Sequence, residues 1–136
     1  MTRINVVPVE ELCDQHLLAE YRELPRVFAL AKLCDDAPKQ YVLGSGHVKF
    51  FYDKLCFVYF RLTLLIQECE RRGFNIAYAT PPKDLPTNQK LWNDYIPTAE
   101  AIALNRQRLR DRMQKFTPRW SNQYHQQKEL SNGTGI

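Results

Sequence analysis

Four side chains near the start of the chain are of types that could act together on an anionic substrate. An α-helix turns by about 100° per residue, so these side chains fall within an arc of about 120° on one helix face: His16, Arg22, Glu23 and Arg26. Such a face offers one carboxylate as a general acid or base and several cations as anion ligands. The simpler interpretation is a solvated face on which Glu23 pairs with Arg26 alone, and spacing does not decide between the two.

The second residue offers a nucleophile. Met1 is followed by the small residue Thr2, a pattern that favours removal of the initiator and would expose the α-amine of Thr2. An α-amine has a pKa of about 7.7 to 8, against about 10.4 for lysine, so roughly one in ten is neutral near pH 7. Because only the neutral amine attacks carbon, Thr2 is a candidate imine-forming nucleophile.

Three predicted helices must position these groups. The first runs from about Val9 to about Asp35, with a better-formed start at Asp14 and a kink near Pro25. The second begins at His47 or Tyr52 and ends at Arg72, before Gly73. Its middle is apolar almost all round, which predicts the central core helix.

The third predicted helix runs from the N-cap Thr98 to about Lys115. It follows a proline-rich stretch, 78–97, that predicts a long ordered loop. The core face of the first helix recurs at steps of three and four: Leu17, Tyr21, Leu24, Phe28 and Ala31.

Smaller features admit two interpretations. Gly44, Ser45 and Gly46 form either a simple turn or a set of backbone amides facing a phosphate. The aromatic run 50–52 is expected in the core rather than as a stacking platform. Trp120 either approaches a ligand or packs the tail.

Composition predicts one globular domain. The chain has 136 residues, 44% of them hydrophobic, and a net charge of +4, which suits an anionic partner. We expect a compact all-α domain of three main helices with long irregular loops over residues 1–120, followed by a polar, frayed tail at 121–136. No membrane segment or signal peptide is evident, so a cytoplasmic protein is expected. The four cysteines stand singly, without zinc-type spacing, and no metal site is predicted.

Several stretches resemble the phage-type pyrimidine-dimer DNA glycosylase/AP lyase family, also called the phage endonuclease V family. They are MTRIN at 1–5, DQHLLAEYRELPRVF at 14–28, GSGHVKFFYDK at 44–54, RGFNI at 72–76 and DYIP at 94–97. The resemblance spans about residues 1 to 120.

This resemblance implies an all-α fold whose N-terminal segment passes between helices and brings Thr2 to the face that holds Glu23. The Thr2 amine would attack C1′ of the damaged nucleotide, displace the base and form a protonated imine with the opened sugar. Glu23 would then remove the C2′ proton, so that β-elimination cuts the strand 3′ to the lesion. Thr2 and Glu23 are thus the expected catalytic residues, and no metal or organic cofactor is implied.

The resemblance also implies a partner, double-stranded damaged DNA, which a monomer bends while one base flips out. Arg3, His16, Arg22 and Arg26 match family positions that bind phosphates. On the basic third helix, Arg108 and Arg112 are expected to reach DNA as well. Such an enzyme would act in the cytoplasm, at the nucleoid when bound to DNA.

The tail after Trp120 departs from the family pattern because it lacks a dense aromatic and basic sequence. Three functions therefore stay open at this point. The first is a dimer-specific glycosylase/lyase. The second has the same mechanism on other damaged bases or abasic sites only, and the third is a DNA-binding module without catalysis.

Overall fold

The computed structural model describes residues 4–33, 37–44 and 46–121 of the chain. Its α-helices in chain order are α1 (Asp14–Glu23), α2 (Arg26–Ala31), α3 (His47–Phe50), α4 (Leu55–Arg71) and α5 (Ala99–Met113), with 3-10 turns at Val9–Glu11 and Gln89–Leu91. Within these ranges there is no β-strand, only an isolated bridge between Lys54 and Trp92. The predicted all-α fold class is confirmed.

The first predicted helix is interrupted rather than continuous. Residues 9–11 form a separate 3-10 turn, α1 starts at Asp14, and the helix divides at Leu24 and Pro25 before α2. The predicted end at Asp35 lies outside the described residues, and α2 stops at Ala31. The predicted core face is confirmed, since its five residues are at most 3% exposed.

Pro25 determines where α1 ends, and a tyrosine from the loop after α4 completes that end. Proline lacks the N–H that would reach the carbonyl of Tyr21 four residues earlier. The hydroxyl of Tyr78 donates to this carbonyl instead. The two tyrosine rings also stack with centroids 4.3 Å apart, and the backbone N–H of Tyr78 donates to the Tyr21 hydroxyl at 2.8 Å. Burial, with Tyr21 adding to it, raises the pKa of Tyr78, so its hydroxyl remains a donor at neutral pH.

The second predicted helix is also two helices. After the short α3, residues 51–54 turn, and Lys54 leaves helical geometry with φ −126° and ψ 46°. Its ammonium donates to the carbonyl of Phe50 at 2.9 Å and lies 3.8 Å from the centre of the Phe50 ring. This side chain thus satisfies the last carbonyl of α3, and α4 begins at the next residue. At the far end, α4 stops before Gly73, whose φ of 84° suits glycine, as predicted.

The α4 helix lies in the core along one side only. Leu55, Val58, Leu62 and Leu65 are fully buried, whereas Phe60 is 63% exposed. The predicted core helix is therefore confirmed as α4, although its apolar side that carries Phe60 faces solvent.

The third predicted helix is confirmed as α5. The Thr98 hydroxyl accepts from the N–H of Ala101 at 3.0 Å, which is the predicted N-cap. The stretch 78–97 is irregular apart from the turn Gln89–Leu91, as predicted.

A buried ionic cluster fixes the start of α1. Arg72 donates to Asp14 at 3.0 Å and to Glu68 at 2.8 Å, and its side chain is fully buried. Ser121 joins from the other end of the described chain, donating its N–H to Asp14 at 2.9 Å. Burial opposes the charged form of Asp14, but the bonds from Ser121 and Arg72 outweigh it and lower the pKa of that carboxyl. The rest of the predicted tail, 122–136, lies outside the described residues.

Two further findings concern the described ranges alone. None of their helices is long and apolar enough to cross a membrane. They also hold no group of three or more His, Cys, Asp or Glu side chains arranged to bind a metal ion.

Candidate active site

Glu23 is the last residue of α1, and its side chain is 29% exposed. Arg26, the first residue of α2, donates to its carboxylate at 2.7 Å while remaining 67% exposed itself. The pair thus spans the kink at Pro25, so the bend in the chain sets how guanidinium and carboxylate face each other. Arg22 is exposed on the adjoining turn. The result is a partly screened carboxylate beside cations that solvent or a ligand can reach.

The N-terminal segment, Ile4–Val7, is buried along its whole length. Its exposed fractions run from 0 to 7%. The imidazole of His47 bridges this segment to the residues before α3. Its Nδ1 atom lies 2.7 Å from the carbonyl of Val42, and its Nε2 atom lies 3.1 Å from the nitrogen and 2.9 Å from the carbonyl oxygen of Ile4. Arg61 of α4 donates to the carbonyl of Val7. A segment without secondary structure of its own therefore has its backbone held by side chains from other elements.

Glu20 is the central acid of this packing. It is 3% exposed. Its carboxylate accepts hydrogen bonds from Nε of Arg61 at 2.9 Å and from Nη2 at 3.0 Å, which makes a bidentate ion pair. The side chain of Asn5 donates to the same carboxylate at 2.8 Å. A buried charge requires such complete pairing, because leaving either partner alone is strongly destabilising. Glu20 thus joins α1, α4 and the N-terminal segment at one point.

Two contacts give the direction of the N-terminal segment. The guanidinium of Arg72 reaches both the carbonyl of Val9, at 3.3 Å, and Asp14 at the start of α1. Asn5, four residues earlier in the chain, contacts Glu20 six residues further along α1. The segment therefore runs antiparallel to α1, and followed toward the chain start it leads to the end of the helix at which Glu23 lies.

His16 opens onto a basic pocket of about 320 Å³ between α1 and the second half of α5. Its ring meets Phe116 edge-on at 5.3 Å. Burial lowers the pKa of His16, and the nearby charge of Arg112 lowers it further, so the imidazole is mainly neutral at pH 7. The lining residues come from α1, from α5 and from the residues just after α5: His16, Arg108, Asp111, Arg112, Lys115 and Phe116.

The structure brings the predicted site residues together in two groups. Glu23 pairs with Arg26, with Arg22 exposed one residue before Glu23, and Arg108 and Arg112 share a pocket with His16. Thr2 and Arg3 lie outside the described residues.

Sequence reasoning missed Glu20, Arg61 and Asn105, which hold the N-terminal segment. Asn105 is fully buried on α5. One signal was available, since Arg61 interrupts a long apolar run and a charged residue there implies a buried partner. Nothing in the sequence distinguishes Asn105 from a surface residue of a polar helix.

Two open alternatives now have a structural context. Gly44 and Gly46 both have positive φ, 88° and 85°, and the N–H of His47 donates to the carbonyl of Gly44 at 3.1 Å. This hydrogen bond joins the two ends of the stretch just before α3, and Ser45 between them lies outside the described residues. Phe50 and Phe51 are buried core residues, as predicted.

Residues 1–81, well over half of the chain, match the family described as pyrimidine dimer DNA glycosylase. The chain belongs to this family. Membership indicates DNA glycosylase activity on pyrimidine dimers, and with it binding to damaged DNA. The family match covers α1, α2 and the ion pair of Glu20 with Arg61, whereas the arginines of α5 lie beyond it.

Proposed function

We propose that this pyrimidine dimer DNA glycosylase also acts as an AP lyase, and that both steps pass through an imine on the α-amine of Thr2. The observation that carries the proposal is the course of Ile4–Val7. This segment is buried, runs antiparallel to α1 and leads toward the end of the helix that bears Glu23.

Chain lengths support this assignment. Glu23 follows Glu20 by one helical turn, about 5 Å along the axis. Asn5 contacts Glu20, and an extended chain covers about 10 Å in the three residues from Asn5 to Thr2. The length of chain is therefore sufficient for an amine at Thr2 to work beside the Glu23 carboxylate.

In the proposed reaction the neutral amine attacks C1′ of the damaged nucleotide, and the C1′–N bond to the base breaks. The base leaves with the bonding electron pair and takes up a proton. Ring opening gives a protonated imine between the Thr2 nitrogen and C1′. Glu23 removes a proton from C2′, the C3′–O bond breaks, and the strand is cut 3′ to the lesion. Water then hydrolyses the imine and regenerates the amine.

The surrounding cations suit a duplex. Arg22 and Arg26 are exposed near Glu23 at the end of α1, and His16, Arg108 and Arg112 line the basic pocket near the start of α1. Arginine forks match phosphate oxygens. We assign these residues, together with Arg3, to phosphate binding by a monomeric domain of residues 1–120.

Borohydride trapping tests the proposal. The protein is incubated with borohydride and one of two duplexes, which contain a single cyclobutane thymine dimer or an abasic site. We expect a covalent adduct on both, mapped by peptide mass to Thr2. An adduct on the abasic duplex alone would restrict the lyase chemistry to abasic sites or other damaged bases. No adduct on either duplex would overturn the imine mechanism.

A further inference from the structure

The segment Ile4–Val7 is tied to α5 by one side chain. The Oδ1 atom of Asn105 accepts from the N–H of Val6 at 2.7 Å and from the N–H of Val7 at 3.2 Å. Its Nδ2 donates to the side-chain oxygen of Asn5 at 2.9 Å. Asn105 is 0% exposed, so water does not replace these bonds.

The orientation of the Asn105 amide follows from the charge of Glu20, to which it is connected through the side chain of Asn5. Both oxygens of Glu20 accept from Arg61, and a carboxylate paired in this way can only accept, so Asn5 donates to it through Nδ2. Asn5 therefore presents its oxygen to Asn105, whose Nδ2 must donate in turn. This leaves Oδ1 of Asn105 facing the two backbone amides, and every polar atom of the amide is used.

We propose that Asn105 is a positioning residue for the Thr2 amine, which sets how the N-terminal segment lies along α1. The inference rests on the proposed function. Two successive amides held by one oxygen fix both the register and the rotation of the backbone at Val6 and Val7. Asn105 also stands about one turn before Arg108 on α5, so the helix that carries the phosphate-binding arginines holds the nucleophile's segment directly.

The test compares Asn105→Ala with Thr98→Ala. Both changes remove side-chain hydrogen bonds that involve α5, but the hydroxyl of the N-cap Thr98 accepts from the N–H of Ala101 and not from the N-terminal segment. Single-turnover borohydride trapping is measured with a saturating abasic duplex, well below the melting temperature of each variant. Affinity is measured on a duplex with a reduced, unreactive abasic site.

We expect Asn105→Ala to slow trapping by about 10- to 100-fold, the effect of a misplacement of the order of 1 Å. Its affinity for the unreactive duplex should stay within about threefold of wild type, because the arginines remain. Thr98→Ala should trap at the wild-type rate. Equal trapping rates for the two variants would overturn the inference. A wild-type protein that forms no adduct would instead overturn the proposed function, and the inference with it.

Asn105→Asp provides a second test if Asn105→Ala does not fold. At position 105 an ionised carboxylate would repel the side-chain oxygen of Asn5. A protonated carboxyl would instead donate a hydrogen bond to that oxygen, as the amide of Asn105 does. Burial raises the pKa of such a carboxyl. The trapping rate relative to wild type should therefore recover as the pH falls from about 8.5 to about 5.5. A ratio that does not change with pH would contradict the positioning role.

Discussion

The hydroxyl of Tyr78 donates to the carbonyl of Tyr21, the carbonyl that Pro25 leaves without a helical N–H. This bond closes α1 two residues before Glu23, on the opposite side of the helix. The kink and its closure are therefore part of how the carboxylate of Glu23 meets Arg26.

Tyr78→Phe tests this closure. Loss of the hydroxyl leaves the Tyr21 carbonyl without its donor, and we expect the free energy of unfolding in urea to fall by about 1–3 kcal/mol. In a Pro25→Ala background the backbone N–H at position 25 replaces the missing donor, so the same change should cost less than half as much. Equal losses in the two backgrounds would show that the hydroxyl does not compensate for the proline.

Glu23→Gln tests the acid. The amide cannot remove the C2′ proton, so strand cleavage should fall by about 10²- to 10⁴-fold. Binding to damaged duplex should persist, because the arginines remain. Glu70→Gln, on the exposed side of α4, is the matched control and should cleave normally. Normal cleavage by Glu23→Gln would remove Glu23 from the mechanism.

Arg108→Ala and Arg112→Ala test the basic pocket. Each lost phosphate contact should reduce the slope of log affinity against log salt by about 0.9, as measured by fluorescence anisotropy. Arg110 lies on the same helix but does not line the pocket, so Arg110→Ala should leave the slope nearly unchanged. If all three variants lower the slope alike, the pocket has no special part in phosphate binding.

His16 should make both stability and DNA binding depend on pH, with opposite signs. Burial first, and then the charge of Arg112, lower the pKa of His16. Its contribution to folding is therefore fully present above the unfolded value of about 6.5 and is lost as the pH falls below it. A phosphate in the pocket favours the charged ring instead, so DNA binding should take up a proton near pH 6.

Calorimetric titration in two buffers of different ionisation enthalpy counts these protons. His16→Asn should abolish the uptake, whereas Arg112→Ala should reduce it, because the free ring would then already be protonated to a greater extent. Proton uptake that persists in His16→Asn would assign the linkage to another group.

The sequence predicted the parts of the fold that depend on neighbouring residues. The core face of α1 follows from apolar spacing, and the start of α5 follows from a threonine cap. The candidate site was predicted in the same way, since the spacing of one continuous helix would place His16, Glu23 and Arg26 on one face. Pro25 divides that helix, and the ion pair of Glu23 with Arg26 spans the division.

The rest depends on contacts between distant positions. Pro25 predicts a kink, but not that a tyrosine 57 residues from Tyr21 completes the helix end. The sequence would predict that Asn105 lies on the surface, because the backbone amides that it binds are about 100 positions away. The sequence would predict that Phe60 lies in the core, because an apolar residue type does not show which side of a helix faces solvent.

The bonds of Asn105 to Val6 and Val7 span 99 and 98 positions. Val6 and Val7 leave the ribosome well before Asn105, so their backbone amides can bond to it only after α5 has been synthesised. Contacts so distant in sequence close late, after the local helices have formed. A nascent chain thus completes the hydrogen bonds of its N-terminal segment only after α5 has been made. A truncated product ending before that helix would keep Glu20 and Arg61 on the segment but would leave the amides of Val6 and Val7 without the Asn105 oxygen.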